Sequence, residues 1–295
     1  MTRNTLSLTL GGLLVGTASL LGSPAPAATT VDSGSWYDTG NWDTGALPGD
    51  GDTEDAFIDS AHTIDVDQAG SSTQDVSGTL RNVYVNGTLN VTAGTLATDG
   101  GGANGRLHIG DTASGMGNQS GGTVDLRRDL VIQTGSTYQI TDGSLQIGGD
   151  FTLDGTFTAI GSSPVIALGG GDDMLGSGTL NFIADANGVA TIDIPDDGDG
   201  TVIENMDLVV DLLSYDTGNG TEIDLINYKR ISGAGAFNSV TIQNGTADIE
   251  YGHISGPGGP STIKLTNVAP IPEPASLALL GLGGLMVAGR RRRQA

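Results

Sequence analysis

The sequence contains no cysteine. Disulfides, thiolate metal sites and a thiol nucleophile are therefore excluded, and stability must come from packing or from bound ions. Aromatic residues are scarce, at 4% of 295, so Val, Ile and Leu must build any core. Basic residues are nearly missing from the body of the chain. Residues 28–269 hold seven (Arg81, Arg106, Arg127, Arg128, Lys229, Arg230 and Lys264) against 33 acidic ones, a net charge of −26. Such a surface repels nucleic acid and anionic lipid and leaves cations as its natural counterions. No convincing amphipathic helix lies between residues 30 and 268.

Glycine and aspartate are abundant instead. There are 49 Gly, and 29 of the 34 acidic residues are Asp. Both residue types serve turns and are poor helix formers. Between the turns the apolar residues alternate with a period of two, as in Val83/Val85, Leu107/Ile109, Leu130/Ile132, Leu145/Ile147 and Ile223/Leu225. Alternation of this kind is the strand signature, and the body is expected to be all-β.

A repeat runs through the pattern. Gly122-Thr-Val-Asp-Leu-Arg-Arg-Asp-Leu-Val-Ile aligns with Gly143-Ser-Leu-Gln-Ile-Gly-Gly-Asp-Phe-Thr-Leu at a shift of 21 residues, each followed by a Gly-Ser-Thr-Tyr or Gly-Thr-Phe turn. Gly105-Arg-Leu-His-Ile-Gly-Asp reads as an earlier, degraded copy, and Gly78, Gly87 and Gly94 each open a shorter Gly-Thr-Leu unit. A period near 20 with short strands and small turns fits one coil of a β-solenoid, whose apolar row becomes a core only by stacking. The expected fold is a right-handed parallel β-solenoid over 70–200 with a C-terminal β unit over 201–268; a β-sandwich is the alternative. Residues 29–69 hold both tryptophans, with a first strand expected at Thr63 to Asp67, and read as a cap on the N-terminal end. Their Trp-containing turn is similar to the opening of many bacterial surface β-solenoid proteins.

The two ends differ from the body, and only there are helices expected. Residues 1–28 read as a signal peptide: Arg3, an apolar stretch from Leu6 to Leu21, and a small-x-small cleavage site formed by Ala25 and Ala27, with the cut expected after Ala27 or Ala28. Residues 269–295 read as a sorting tail, joined to the body by a linker (Asn267 to Ile271). Then come Pro272-Glu273-Pro274, an apolar run from Ala275 to Gly289, and Arg290, Arg291, Arg292 and Arg293. The run is short of the ~20 residues that span a bilayer comfortably, but the arginines can snorkel and would face the cytoplasm. This three-part tail resembles the PEP-CTERM sorting signal. The resemblance implies recognition by exosortase, a membrane cysteine protease of Gram-negative bacteria that make exopolysaccharide, with transient inner-membrane insertion and removal of the tail near Pro272. A plain C-terminal anchor is the alternative.

Chemistry is thinly signalled. His62, His108 and His253 lack metal-ligand spacing, and no Gly-x-Ser-x-Gly elbow occurs. Arg127 and Arg128 beside Asp125 and Asp129 could imitate the basic and acidic groups of a polysaccharide lyase, but read better as a charged outer face. Calcium is the most defensible ligand. Asp172 and Asp173, in Gly-Gly-Gly-Asp-Asp-Met-Leu, partly resemble a calcium-binding β-roll. Asp197 and Asp199 follow an EF-hand-like opening that lacks its first acidic ligand. Together these features point to an exported, non-catalytic structural or adhesive protein of the cell surface or exopolysaccharide matrix. Its expected partners are signal peptidase and exosortase during export and exopolysaccharide afterwards. A carbohydrate-binding or polysaccharide-degrading β-helix is the rival reading; a row of aromatics over an acidic cleft would favour it, whereas alternation points Tyr138, Phe151 and Phe157 inward.

Overall fold

A computed structural model describes residues 27–49, 54–68, 80–98, 104–169, 173–195, 201–229, 235–252 and 261–270. Among them every regular element is a strand except two single turns of 3-10 helix, Thr39–Asn41 and Thr217–Asn219. The strands stack in parallel into three ladders, and the body is a parallel β-solenoid. The signal-peptide stretch and the sorting tail lie outside the described residues.

The first ladder is a seven-stranded sheet of Ala27–Thr29, Glu54–Ile58, Leu80–Val85, Arg106–Ile109, Leu130–Ile132, Phe151–Leu153 and Met174–Gly176. The other two form one 15-stranded sheet, because Met116–Leu126 and Thr137–Ile147 each turn a corner and serve both. The second ladder runs from Gly34–Ser35 through Thr63–Val66, Thr88–Val91 and the front halves of the corner strands. It continues in Thr156–Ile160, Thr179–Ile183, Asp207–Asp211 and Ser239–Gln243. The third runs from Thr95–Thr98 through the rear halves of the corner strands to Val165–Leu168, Ile192–Ile194 and Ile223–Tyr228. Between Leu80 and Ile194 each coil contributes one strand to each ladder.

The 21-residue repeat is the coil itself. Leu145 stands beside Val124, Ile147 beside Leu126, and Phe151 beside Leu130. The copy expected at Gly105 is displaced. Leu107 stacks on Leu130 in the first ladder, whereas Val124 stacks on Leu96, so the true predecessor of Gly122-Thr-Val is Gly94-Thr-Leu. The corner from Gly110 to Gly115 is longer than its counterpart from Gln133 to Ser136, and a linear alignment slips there. Beyond residue 200 the second and third ladders continue unbroken, pairing Thr179 with Asp207 and Ile192 with Ile226. Longer coils hide the period there. The stack closes on Ser261–Pro270, antiparallel to both Ile223–Tyr228 and Gly245–Tyr251.

Two expectations at the ends change. Three strands precede Thr63 rather than none, because Ala27–Thr29, Gly34–Ser35 and Glu54–Ile58 already form the first rungs of the solenoid. The segment from Trp36 to Asp43 nevertheless blunts the N-terminal edge: Asp43 N–H donates to Thr29 O (3.0 Å) and Val31 N–H to Asn41 O (2.9 Å), occupying the open side of Ala27–Thr29. Trp36 and Trp42 meet edge-to-face at 4.9 Å, both buried, and Trp42 Nε1–H donates to Trp36 O. At the other end, Asn267 to Pro270 is no linker. Ala269 pairs with Thr246 and Pro270 with Gly245 as the last rungs of the final strand.

Alternation sorts the side chains as expected. Tyr138, Phe151 and Phe157 point inward and are buried, with the Tyr138 and Phe157 rings stacked at 5.8 Å. Gln119 is buried beside them, accepting from Tyr138 Oη–H (2.8 Å) and donating to Ser144 O (2.9 Å), which satisfies the polar groups at the corner. The corners also explain the glycines. A Cβ on Gly155 would run into the carbonyl oxygens of Gln133 and Ser136 in the preceding coil. Gly143 has φ +90° and backs directly onto the Gly121 and Gly122 backbone.

Phe157 packs against Tyr138 and Phe151 at the centre of this core. Phe157→Ala is expected to lower stability by about 3–5 kcal/mol in urea unfolding. Val165→Ala, at an exposed position, should stay within about 0.5 kcal/mol of wild type.

Candidate functional site

Outward positions carry whatever function the body has, and each ladder presents a different chemistry. On the first ladder, Phe57, Tyr84 and His108 stand side by side in successive coils. Their rings stack nearly parallel, at 4.7 Å between Phe57 and Tyr84 and 4.8 Å between Tyr84 and His108. Charged groups flank them. Arg106 Nε lies 2.6 Å from Asp129 Oδ2, a close ionic contact without hydrogen-bond alignment. Arg81 Nε lies 4.0 Å from Asp55. Alternation could have revealed this row, since each aromatic sits between two inward aliphatics (Ala56/Ile58, Val83/Val85 and Leu107/Ile109).

The orientation of the rings decides what the row can do. Tyr84 is covered on both faces by Phe57 and His108, whose outer faces stand beside Thr29 and Val131 of the neighbouring coils, so a sugar ring finds no open run of aromatic faces along the row. Burial, and then the nearby charges of Asp55 and Asp111, push the Tyr84 phenol above its usual 10.0, so it stays protonated. Burial and then the Arg106 guanidinium hold His108 below its usual 6.5, so the ring is neutral at pH 7. The row is a protonated phenol and a neutral imidazole held in a stack.

The second ladder shows a different outward surface. Thr137, Thr156 and Thr179 form one row, and Asn90, Asn118, Gln139, Thr158 and Asn181 form the next, all in register. Asn118 Nδ2–H donates to Asn90 Oδ1 (2.9 Å) and Asn90 Nδ2–H to Asp65 Oδ1 (2.7 Å), tying the amides into a chain.

The aspartates serve chiefly as ties between coils. Asp129 Oδ1 accepts from Asp150 N–H (3.1 Å), and Asp150 Oδ1 accepts from Asp173 N–H (3.1 Å). Asp154 accepts both N–H and Oγ–H of Ser177 one coil on. Ser239 Oγ–H and Asn238 Nδ2–H both donate to Asp207 and hold its carboxyl below the usual range. Burial alone would raise Asp185, but donors from Ser162, Asn187 and Gly188 outweigh it and keep that carboxyl low.

Of the calcium ligands expected from sequence, Asp172, Asp197 and Asp199 lie outside the described residues. Asp173 donates its backbone N–H to Asp150 within the ladder of carboxylates. Among the described residues no group of three or more His, Asp or Glu side chains converges to hold a metal ion. Arg127 and Arg128 are exposed at the corner beyond Leu126 and Asp125 on the strand before it, while Asp129 turns toward Arg106. His62 Nδ1 lies 2.8 Å from Thr30 Oγ1, His108 stacks on Tyr84 instead, and His253 lies outside the described residues. Ala27, the expected cleavage residue, opens the first strand, and Ala28 behind it is buried. Ala25, Pro272, Glu273, Pro274 and the four terminal arginines lie outside the described residues. Among the described residues no helix is long and apolar enough to cross a membrane.

Residues 270–293 match the PEP-CTERM protein-sorting motif. No curated protein and no solved structure matches the chain. The motif marks the chain as an exported, exosortase-sorted protein. It begins at Pro270, the last residue of the final strand, so the folded body reaches the sorting signal without a spacer.

A histidine that is neutral when folded binds fewer protons than the unfolded chain just below the usual 6.5. Stability should therefore fall as pH drops through and below 6.5, and His108→Gln should remove that part of the decline in thermal unfolding. Proton NMR should find the His108 titration midpoint below 6.5.

Proposed function

We propose that the mature chain is a non-catalytic structural or adhesive component of the cell surface or exopolysaccharide matrix. The observation that carries this reading is the union of a sorting signal with a rod whose outward acids serve its own coils. Asp129, Asp150, Asp154 and Asp207 each accept hydrogen bonds from a neighbouring coil. At Asp207 the Ser239 and Asn238 donors favour the ionised form, which makes that carboxylate a poor proton acceptor. The polysaccharide-degrading alternative needs a base, an acid and a substrate cleft converging on one another. Arg127 and Arg128 stand at an outer corner and His108 is packed against Tyr84 at the end of a ring stack, which is poor support for catalysis.

In this reading signal peptidase cuts after Ala27, so the mature chain begins at Ala28, whose side chain packs into the first rung. Exosortase then acts near Pro272 while the apolar run and the arginines hold the tail transiently in the inner membrane. With the final strand ending at Pro270, the closed end of the solenoid faces the membrane during processing. After release the rod joins the matrix. Its remaining negative charge attracts divalent cations, which can bridge neighbouring rods.

Intact mass and terminal peptides from the membrane and extracellular fractions of the native host test this reading. Wild type should be extracellular, begin at Ala28 and end near Pro272. A variant with Pro272, Glu273 and Pro274 all changed to Ala should stay in the membrane fraction with Arg290 to Arg293 attached. A wild-type protein found only in membranes with its arginines intact would sink the proposal.

A further inference from the structure

The amide and hydroxyl rows of the second ladder differ from the rest of this surface in charge. From Thr88 to Asn181 neither row carries a charged residue, on a chain with a formal net charge of −22. Neighbouring coils set the side chains about 4.8 Å apart along the rod, and positions i and i+2 on one strand lie about 7 Å apart across it. A long, narrow band of hydroxyls and carboxamides thus repeats once per coil.

We infer that this band is a docking surface for a neutral polysaccharide chain; the inference rests on the adhesive reading above and names its partner. Three observations carry it. First, the band is uncharged within an acidic field, so an anionic polymer finds no counter-charge and is repelled by the rest of the protein. A cationic one is drawn elsewhere on the surface. Second, threonine hydroxyls and side-chain amides both donate and accept hydrogen bonds, as sugar hydroxyls do. A linear polymer can then form one weak contact per coil, and the contacts reinforce one another through linkage along the chain. Third, the band is ordered before any partner arrives. Asn118 is tied to Asn90, and Asn181 Nδ2 reaches Thr158 Oγ1 at 3.5 Å, so these amides have less side-chain freedom to lose on binding. Protein partners are disfavoured because the band lacks the aromatic and arginine anchors that dominate protein interfaces; Met116 is its one large apolar side chain.

The test is affinity electrophoresis of the full exported protein in native gels containing hydroxyethylcellulose, dextran or galactomannan, with alginate as the anionic counterpart. Wild type should be retarded by at least one neutral polymer and not by alginate. The double variant Gln139→Glu/Asn181→Glu, whose charges stand two coils apart in the row, should weaken retardation roughly tenfold in apparent Kd, with a single cooperative thermal unfolding transition showing that the coils still stack. Thr152→Glu, on the outward side of the first ladder, should bind as wild type does. Equal retardation of wild type and double variant would place glycan binding elsewhere and overturn this inference, leaving the adhesive reading intact. Retardation only by alginate, or by no polymer, would overturn it too; co-fractionation of wild type with the native matrix then judges the adhesive reading separately. Self-association of wild type in sedimentation that vanishes in the double variant would show that a second copy occupies the band.

Discussion

Everything in this molecule depends on bringing each coil back against the one before it, so that one strand's N–H groups meet the carbonyls of its predecessor. The spacing of about 4.8 Å is fixed by the hydrogen bond, and the corners must conform to it. At the first-to-second corner the pattern is continuous: Thr137 N–H donates to Gly115 O, Thr156 to Ser136 O, Thr179 to Gly155 O and Asp207 to Gly178 O. Where a corner backbone passes under the previous coil's carbonyls, as at Gly155, there is no room for a Cβ. The high glycine content is thus a packing requirement, and the aspartates are its polar complement. A short side chain that reaches one coil along satisfies a backbone N–H that a turn would otherwise leave open.

The same constraint limits where function can reside. Inward positions are committed to aliphatic and aromatic packing, and corner positions to glycine and aspartate. Only the outward positions of each ladder are free to vary, and they appear as rows, one residue per coil. On the first ladder the row becomes a ring stack that covers Tyr84 on both faces; on the second it becomes a band of hydroxyls and amides. A solenoid of this kind offers linear, repeated surfaces rather than a pocket, which suits extended partners better than small ones.

Much of this was legible in the chain. The alternation of Leu145 and Ile147, or Phe151 and Leu153, gave both strand type and inward face, because a period of two admits no other geometry. The 21-residue shift between Gly122 and Gly143 matched the coil because loops of equal length separate those strands. Where loop length changed, reading failed. The six residues from Gly110 to Gly115 break the 21-residue shift, and Gly105-Arg-Leu-His-Ile shows the alternation common to all ladders, so nothing local placed Leu107 on the first ladder rather than the third. Asn267 to Pro270 looked like a linker because nothing local reveals that Gly245 and Thr246 wait as antiparallel partners. The outward rows were partly legible: Phe57, Tyr84 and His108 each sit between inward aliphatics, but their stacking follows from coil register, which no local pattern carries.

The sequence by itself determined the β character, the acidic surface and the sorting of the chain. Alternation and net charge are properties of residues in order, and the sorting motif at 270–293 is a linear signal. Tertiary structure alone decided which residues become neighbours across coils. It joined Tyr84 to His108, lined up Thr137 with Thr156 and Thr179, and turned Asp129 toward Arg106. Those meetings depend on the summed lengths of strands and corners between residues some 20 positions apart, and that sum is settled only when the backbone ladders close.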